Sequence, residues 1–155
     1  MKAASITQYF ELDHDRLDAL FEHFQHLKKT ATPKAEGNFW EFKSGLESHI
    51  AWEEDILFPR FEEKTGMRGT GPTEVMRMEH RQIKQLLEAI RWRLQQATVS
   101  DLEEAALLEI LHAHNQKEEH ILYPAIDGLL TDQDRLEVFA RMPRFYCSDS
   151  PTEPR

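Results

Sequence analysis

Two stretches of this sequence carry a histidine followed four residues later by a glutamate. His49 precedes Glu53, and His114 precedes Glu118. Residues four apart project from the same face of an α-helix, and both faces also carry regularly spaced leucine and isoleucine. A carboxylate buried on such a face is costly unless another group compensates its charge. Coordination of a metal ion provides that compensation, so the spacing indicates metal-binding chemistry.

Two further histidines lie on apolar helical faces. His14 lies between Phe10 and Leu17, and His80 lies at the same kind of position on a later segment. A lone histidine in this setting is more often a hydrogen-bonded core residue than a ligand, but the matched placement of all four histidines favours ligands. We therefore predict six metal ligands on the inward helix faces: His14, His49, Glu53, His80, His114 and Glu118.

The chain repeats itself at a spacing of 65 residues. The segment EEDILFP, which begins at Glu53, matches EEHILYP, which begins at Glu118. His49 and His114 share this spacing, whereas His14 and His80 are 66 residues apart. The repeat predicts two helical hairpins, each with a lone histidine on its first helix and a His-x-x-x-Glu pair on its second.

The elements that must position these residues are helices, because apolar residues recur at helical spacing and no segment alternates with period two. We predict an all-α, up-down-up-down four-helix bundle over residues 1–142, with a short C-terminal helix, and a flexible tail over 143–155. A capping box is expected at Ser100, and Pro59 and Pro124 should kink or end their helices. The predicted helices cover residues 5–28, 38–63, 73–96, 100–127 and 131–140, with loops at 32–37 and 65–72.

Composition narrows the class of protein. The 155 residues fit one domain, and no apolar run is long enough to span a bilayer. A net charge of −9 argues against nucleic acid as the main partner. The single cysteine, Cys147, excludes an intramolecular disulfide and a cysteine-rich zinc site. Without an apparent secretory signal, the expected location is the cytoplasm, with no membrane partner.

Nitrogen and oxygen ligands without thiolate suit iron, manganese or zinc. Two metals with open positions favour redox chemistry of iron or manganese over a closed structural zinc site.

The pattern resembles hemerythrin-like domains, also called His-His-Glu cation-binding domains, over about residues 5–130. The resemblance is carried by His14, by HIAWEE from His49, by Glu79-His80 and by HNQKEE from His114. It implies two iron ions, with His14 and His49 on one, and His80 and His114 on the other. It further implies that Glu53 and Glu118 bridge the two ions, with an oxo or hydroxo group completing the bridge.

Two departures from the oxygen-carrying hemerythrins affect the functional prediction. Met76 stands where those proteins have a further histidine, and their carboxylate follows the fourth-helix histidine by five residues, which makes Glu119 a rival to Glu118. We expect a diiron protein that handles oxygen, nitric oxide or reactive oxygen species such as peroxide. The alternatives are an iron store, donor or sensor with metal-linked folding, and an interaction module. Enzymatic activity and oligomeric state stay open.

Several neighbours of the candidate ligands have weaker signals. Glu54 is expected at the surface or bonded to a ligand histidine. Core packing is expected for Tyr123, in preference to a hydrogen bond with a bridging glutamate. Packing is also expected for the three tryptophans. The four remaining histidines are expected at the surface or behind the ligands, with the surface preferred for His120; they are His23, His26, His112 and His120.

Overall fold

The computed structural model describes residues 4–30 and 32–142, and this part of the chain consists of helices and short connections without any strand. The all-α prediction is therefore confirmed. The predicted tail, with Cys147, lies outside the described residues. The helices are α1 (Ile6–Leu27), α2 (Thr32–Trp52), α3 (Phe58–Thr65), α4 (Pro72–Gln95), α5 (Asp101–Lys117), α6 (Tyr123–Leu129) and α7 (Asp132–Arg141).

The helices form two hairpins that pack against each other. α1 packs along α2, and α4 along α5, while α2 also contacts α4 and α1 contacts α6. Asp127 of α6 ties the hairpins together because its carboxylate accepts hydrogen bonds from the backbone N–H groups of Ile6 (2.8 Å) and Thr7 (2.9 Å). These N–H groups have no acceptor within α1 itself, so the start of α1 depends on the second hairpin.

A π-helical turn interrupts each of the two long helices that carry a His-x-x-x-Glu pair. The turns cover Glu53–Leu57 and Glu118–Leu122, and they end immediately before α3 and α6. Pro59 and Pro124, the second residues of α3 and α6, cannot donate the backbone hydrogen bond that a continuous helix requires. The predicted interruptions therefore occur as π turns, which widen the helix at the glutamates.

The beginning of α2 differs from the sequence prediction. A loop was expected over residues 32–37, but α2 already begins at Thr32. Pro33 is compatible with a first helical turn because the missing N–H would have no acceptor there. Ala35 is completely buried in the apolar core, and this burial helps to hold the first turn in place.

The expected capping box at the start of α5 is also wrong. Ser100 is the N-cap residue, but its side chain caps no backbone N–H group. The Ser100 hydroxyl instead donates to the buried carboxylate of Glu104 at 2.5 Å, and Lys28 donates to the same carboxylate at 2.6 Å. Ser100 therefore bonds to a carboxylate that is ion-paired with Lys28 of the other hairpin, instead of capping the helix as its local sequence predicts.

Two apolar clusters fill the bundle on either side of the histidines. One contains Phe10 and Met76, and the other contains Leu17 and Ile83. His14 and His80 lie between these pairs on α1 and α4, so the polar centre is enclosed by apolar layers. Of the three tryptophans, only one packs as predicted: Trp52 is buried, but Trp40 and Trp92 are 59% and 53% exposed.

Among the described helices, none combines the length and the apolar character that a membrane crossing requires.

Candidate metal centre

The fold brings all six predicted ligands together, and each is buried. Their ligand atoms form two groups of four, and within each group the atoms lie within 4.8 Å of one another. Both groups include Glu53 and Glu118. The other members are His14 and His49 in the first group, which we call position A, and His80 and His114 in the second, which we call position B.

Each shared carboxylate presents one oxygen to each position. Glu118 Oε1 lies 3.1 Å from His14 Nε2, and Glu118 Oε2 lies 3.1 Å from His114 Nε2. Glu53 Oε2 lies 3.4 Å from His49 Nε2, and Glu53 Oε1 lies 3.0 Å from His80 Nε2. This is the geometry of a carboxylate that can bridge two cations.

The four histidines direct their Nε2 atoms to the centre because their Nδ1 atoms face other carboxylates. A carboxylate accepts only from a protonated ring nitrogen, so each pairing favours Nδ1–H and leaves Nε2 available for a metal. The pairs are His14 with Glu119 (2.7 Å), His49 with Asp13 (2.8 Å), His80 with Glu54 (2.6 Å) and His114 with Glu79 (2.8 Å).

These outer carboxylates follow the internal repeat. Asp13 and Glu79 each hold the second histidine of their own hairpin, whereas Glu54 and Glu119 each hold the first histidine of the opposite hairpin. Of these four bonds, only that of Glu54 was expected from the sequence, as an alternative to a surface position. The available signal was an acidic residue directly before His14 and His80 and directly after each shared glutamate. Glu119, the rival to Glu118, faces His14 Nδ1 rather than the space between the two positions.

Tyr123 has a polar role at the centre, although its sequence context favoured core packing over a hydrogen bond to a glutamate. Its hydroxyl group has one proton to donate and lies within hydrogen-bond distance of Glu118 Oε1 (2.8 Å) and of Glu53 Oε2. The same oxygen lies 3.3 Å from His14 Nε2 and 3.4 Å from His49 Nε2. The expectation of core packing alone is therefore wrong, since the buried phenol enters position A.

The electrostatics of the centre favour positive charge next to the carboxylates. Burial opposes the imidazolium of His49, but Glu53 and Asp13 raise its pKa to about 10. Burial likewise opposes that of His114, whose pKa the carboxylates of Glu118 and Glu79 raise to about 10. Despite its own burial, Glu53 has a pKa well below its ordinary value because of His49 and His80. Metal cations can replace the protons as the positive charge that neutralises these carboxylates.

Three buried polar atoms of the centre make no hydrogen bond within the described part of the chain, and coordination of a metal ion would satisfy them. Glu53 Oε1 and His80 Nε2 lie 3.0 Å apart but form no hydrogen bond with each other or with another described atom, and Glu118 Oε2 also has no hydrogen-bond partner there. Leaving a buried polar group unsatisfied costs about 1–3 kcal/mol. All three atoms belong to position B, so the residues present fit a metal ion at this place.

The remaining histidines lie outside the centre. As predicted, His23, His26, His112 and His120 are exposed. Nδ1 of His120 lies 3.2 Å from the carbonyl oxygen of Gln116. Met76 is buried in the apolar cluster and therefore packs in the core.

A helical bundle with shared glutamates and histidines at its centre is the architecture of a cation-binding helical domain. The sequence profile of the hemerythrin HHE cation binding domain matches residues 5–140. The chain belongs to this family, which confirms the resemblance, and hemerythrin domains bind metal ions, typically iron.

Similar proteins include an iron–sulfur cluster repair protein, YtfE, of Edwardsiella ictaluri. It is 31% identical over 144 residues, which cover 79% of this chain and 63% of that protein. A DNA nickase of Nostoc is 26% identical over 83% of this chain and 35% of its own length. A hemerythrin-like protein of Schizosaccharomyces pombe is 27% identical over 96% of this chain and 74% of its own. No solved structure matches significantly. The chain thus spans less than two thirds of the first two relatives.

Proposed function

We propose that the protein holds a non-haem diiron centre, with His14 and His49 at position A, His80 and His114 at position B, and Glu53 and Glu118 as bridges. The carrying observation is that each shared glutamate directs one oxygen to each position. Iron, manganese and zinc all accept such ligands. Iron is preferred because iron is the metal typical of the hemerythrin family.

The proposed reaction is with oxygen, nitric oxide or peroxide. A bound pair of iron ions supplies the one- and two-electron redox chemistry that these molecules require. The chain contributes orientation, since Asp13, Glu54, Glu79 and Glu119 hold the imidazoles by their Nδ1 atoms. The two apolar clusters exclude bulk water from the centre, and this exclusion strengthens electrostatic interactions within it.

We further propose that the protein is not a reversible oxygen carrier. Met76 packs in the apolar cluster, and its thioether is a poor ligand for hard, oxidised iron. Position B therefore has one nitrogen ligand fewer than the corresponding site in the oxygen carriers that the sequence resembles. With one ligand fewer from the chain, a metal held there would not retain oxygen reversibly, and we expect oxygen to convert the reduced centre to its oxidised form.

The test has two stages. Elemental analysis of protein expressed with ample iron should give close to two irons per chain. The protein is then reduced without oxygen, mixed with oxygen and followed by absorption, and we expect prompt, irreversible oxidation. A single metal per chain contradicts the diiron proposal. An oxygen adduct that is lost under vacuum and returns with oxygen contradicts only the non-carrier proposal.

A second candidate function is that of an iron store, donor or sensor, of which the role of iron donor is directly testable. It is favoured by the similarity to a protein named for iron–sulfur cluster repair. The distinguishing measurement is the transfer of iron from the reduced protein to a metal-free iron–sulfur protein, with and without a competing chelator. Direct transfer that survives the chelator supports donation, whereas transfer abolished by the chelator contradicts it.

A further inference from the structure

The internal repeat places two aromatic rings at equivalent points, five residues after each shared glutamate. These rings are Phe58 and Tyr123, and both are completely buried. Phe58 lies parallel to the His80 ring, with 5.9 Å between centroids and an interplanar angle of 7°. Tyr123 lies beside His14, with 5.8 Å between centroids and an angle of 30°. The two positions therefore have matching aromatic rings beside them, but of these two rings only Tyr123, at position A, carries a hydroxyl group.

That hydroxyl group reaches every ligand of position A. The Tyr123 oxygen lies within hydrogen-bond distance of Glu53 Oε2 and Glu118 Oε1, and within 3.4 Å of Nε2 of both His14 and His49. The phenol oxygen would therefore lie beside a metal held by these four atoms. At that place it competes for space and coordination with any external molecule.

Position B offers the opposite environment. Within the described residues, Glu53 Oε1, Glu118 Oε2 and His80 Nε2 all lack a hydrogen-bond partner. The ring of Phe58 contributes no polar atom to them. A metal at this position would therefore meet an apolar wall where a metal at position A would meet a phenol, and within the described residues no further histidine, cysteine or carboxylate joins the ligand group of position B.

We propose that Tyr123 makes the two metal positions unequal by closing position A, so that a small external ligand, an anion or a diatomic molecule, binds at position B. This inference rests on the proposed diiron centre. Tyr123 is a positioning residue in this role. Because the wall of position B is apolar, the site favours compact ligands with few hydrogen-bonding atoms over hydrated polyatomic anions.

The experiment uses the repeat as its own control. Full-length iron-loaded protein, in its oxidised form, is titrated with azide and followed by absorption. Three variants are compared with the original chain: Tyr123→Phe, Phe58→Tyr and the double variant that exchanges the two rings. Iron content is measured in every sample before the titration.

We expect one azide per two irons in the original chain and a second azide in Tyr123→Phe. Phe58→Tyr should weaken azide binding roughly tenfold or more, since it places a phenol at position B as well. The double variant should again bind one azide. An original chain that binds two azides equally, or an unchanged titration of Tyr123→Phe, overturns the inference.

The Tyr123→Phe result decides the matter even where Phe58→Tyr does not fold, because removal of one oxygen preserves the ring packing. Fewer than two irons in the original chain overturns both the diiron proposal and this inference. Two irons with azide binding that does not respond to Tyr123 overturns the inference alone.

Discussion

The two hairpins, residues 6–65 and 72–129, share the groups that face the centre but differ in what surrounds them. Each provides two histidines, one shared glutamate and two outer carboxylates at equivalent positions. The differences lie among the residues that surround these groups. Tyr123 corresponds to Phe58, and Lys117, which bonds to Glu79, corresponds to the buried Trp52.

This comparison indicates which features the centre requires twice. Coordination and the orientation of each imidazole need matched acidic and basic atoms, so they recur in both hairpins. The aromatic wall needs only volume at both places, and a hydroxyl group can be present on one side alone. The two hairpins thus provide equivalent metal ligands, but the residues around these ligands differ.

Removal of a shared glutamate should have the largest effect, because it affects both positions at once. Glu53→Ala and Glu118→Ala should each lose both metals, whereas His14→Ala and His80→Ala should each lose mainly one. Loss of the anion also leaves two cations less neutralised at the centre. The measurement is iron content after gel filtration, with the exposed Glu109→Ala on α5 as the control. Equal losses in the histidine and glutamate variants would remove the support for bridging.

Metal removal should make the stability of the fold depend on pH, through one histidine in each hairpin. The pKa of about 10 for His49 and His114 lies above the ordinary value of 6.5. The imidazolium form therefore stabilises the metal-free fold fully below about pH 6.5, and this contribution is lost as the pH rises towards 10. We expect the urea midpoint of the metal-free protein to fall across this range.

The metal-loaded protein serves as the control for this pH dependence. Its histidines are already deprotonated by coordination, so higher pH does not remove a proton from them. Its midpoint should therefore be flat or rise between pH 6.5 and 9. A metal-free protein whose stability is constant over the same range would contradict the assigned pairing of His49 and His114 with their carboxylates.

Changes to the outer carboxylates should have smaller effects, and these effects should be equal in the two hairpins. Glu54→Gln and Glu119→Gln each weaken the acceptor of one Nδ1–H group, at His80 and His14 respectively. A loss of about 10–100-fold in metal affinity is expected for such a change. Chelator competition measures it, with Glu109→Gln as the control. A large loss for Glu119→Gln that removes both metals would instead favour Glu119 as the bridge.

Local patterns were sufficient to predict the helices and the inward faces. The 3.6-residue period places His49 and Glu53 on one face wherever the helix packs, and the 65-residue repeat extends the same reasoning to His114 and Glu118. Two predictions about helix starts were wrong. Pro33 allows a helix start that resembles a loop in sequence, and Ser100 bonds to Glu104 rather than capping α5.

The sequence by itself determined the class of fold and the candidate ligands, because helical periodicity depends only on neighbours a few residues apart. Only the tertiary structure decided which carboxylate holds which imidazole and where the hydroxyl of Tyr123 lies. His14 and Glu119 are 105 residues apart, and Tyr123 and Glu53 are 70 apart. Such contacts depend on how the two hairpins dock, and docking is fixed by the packing of the whole core.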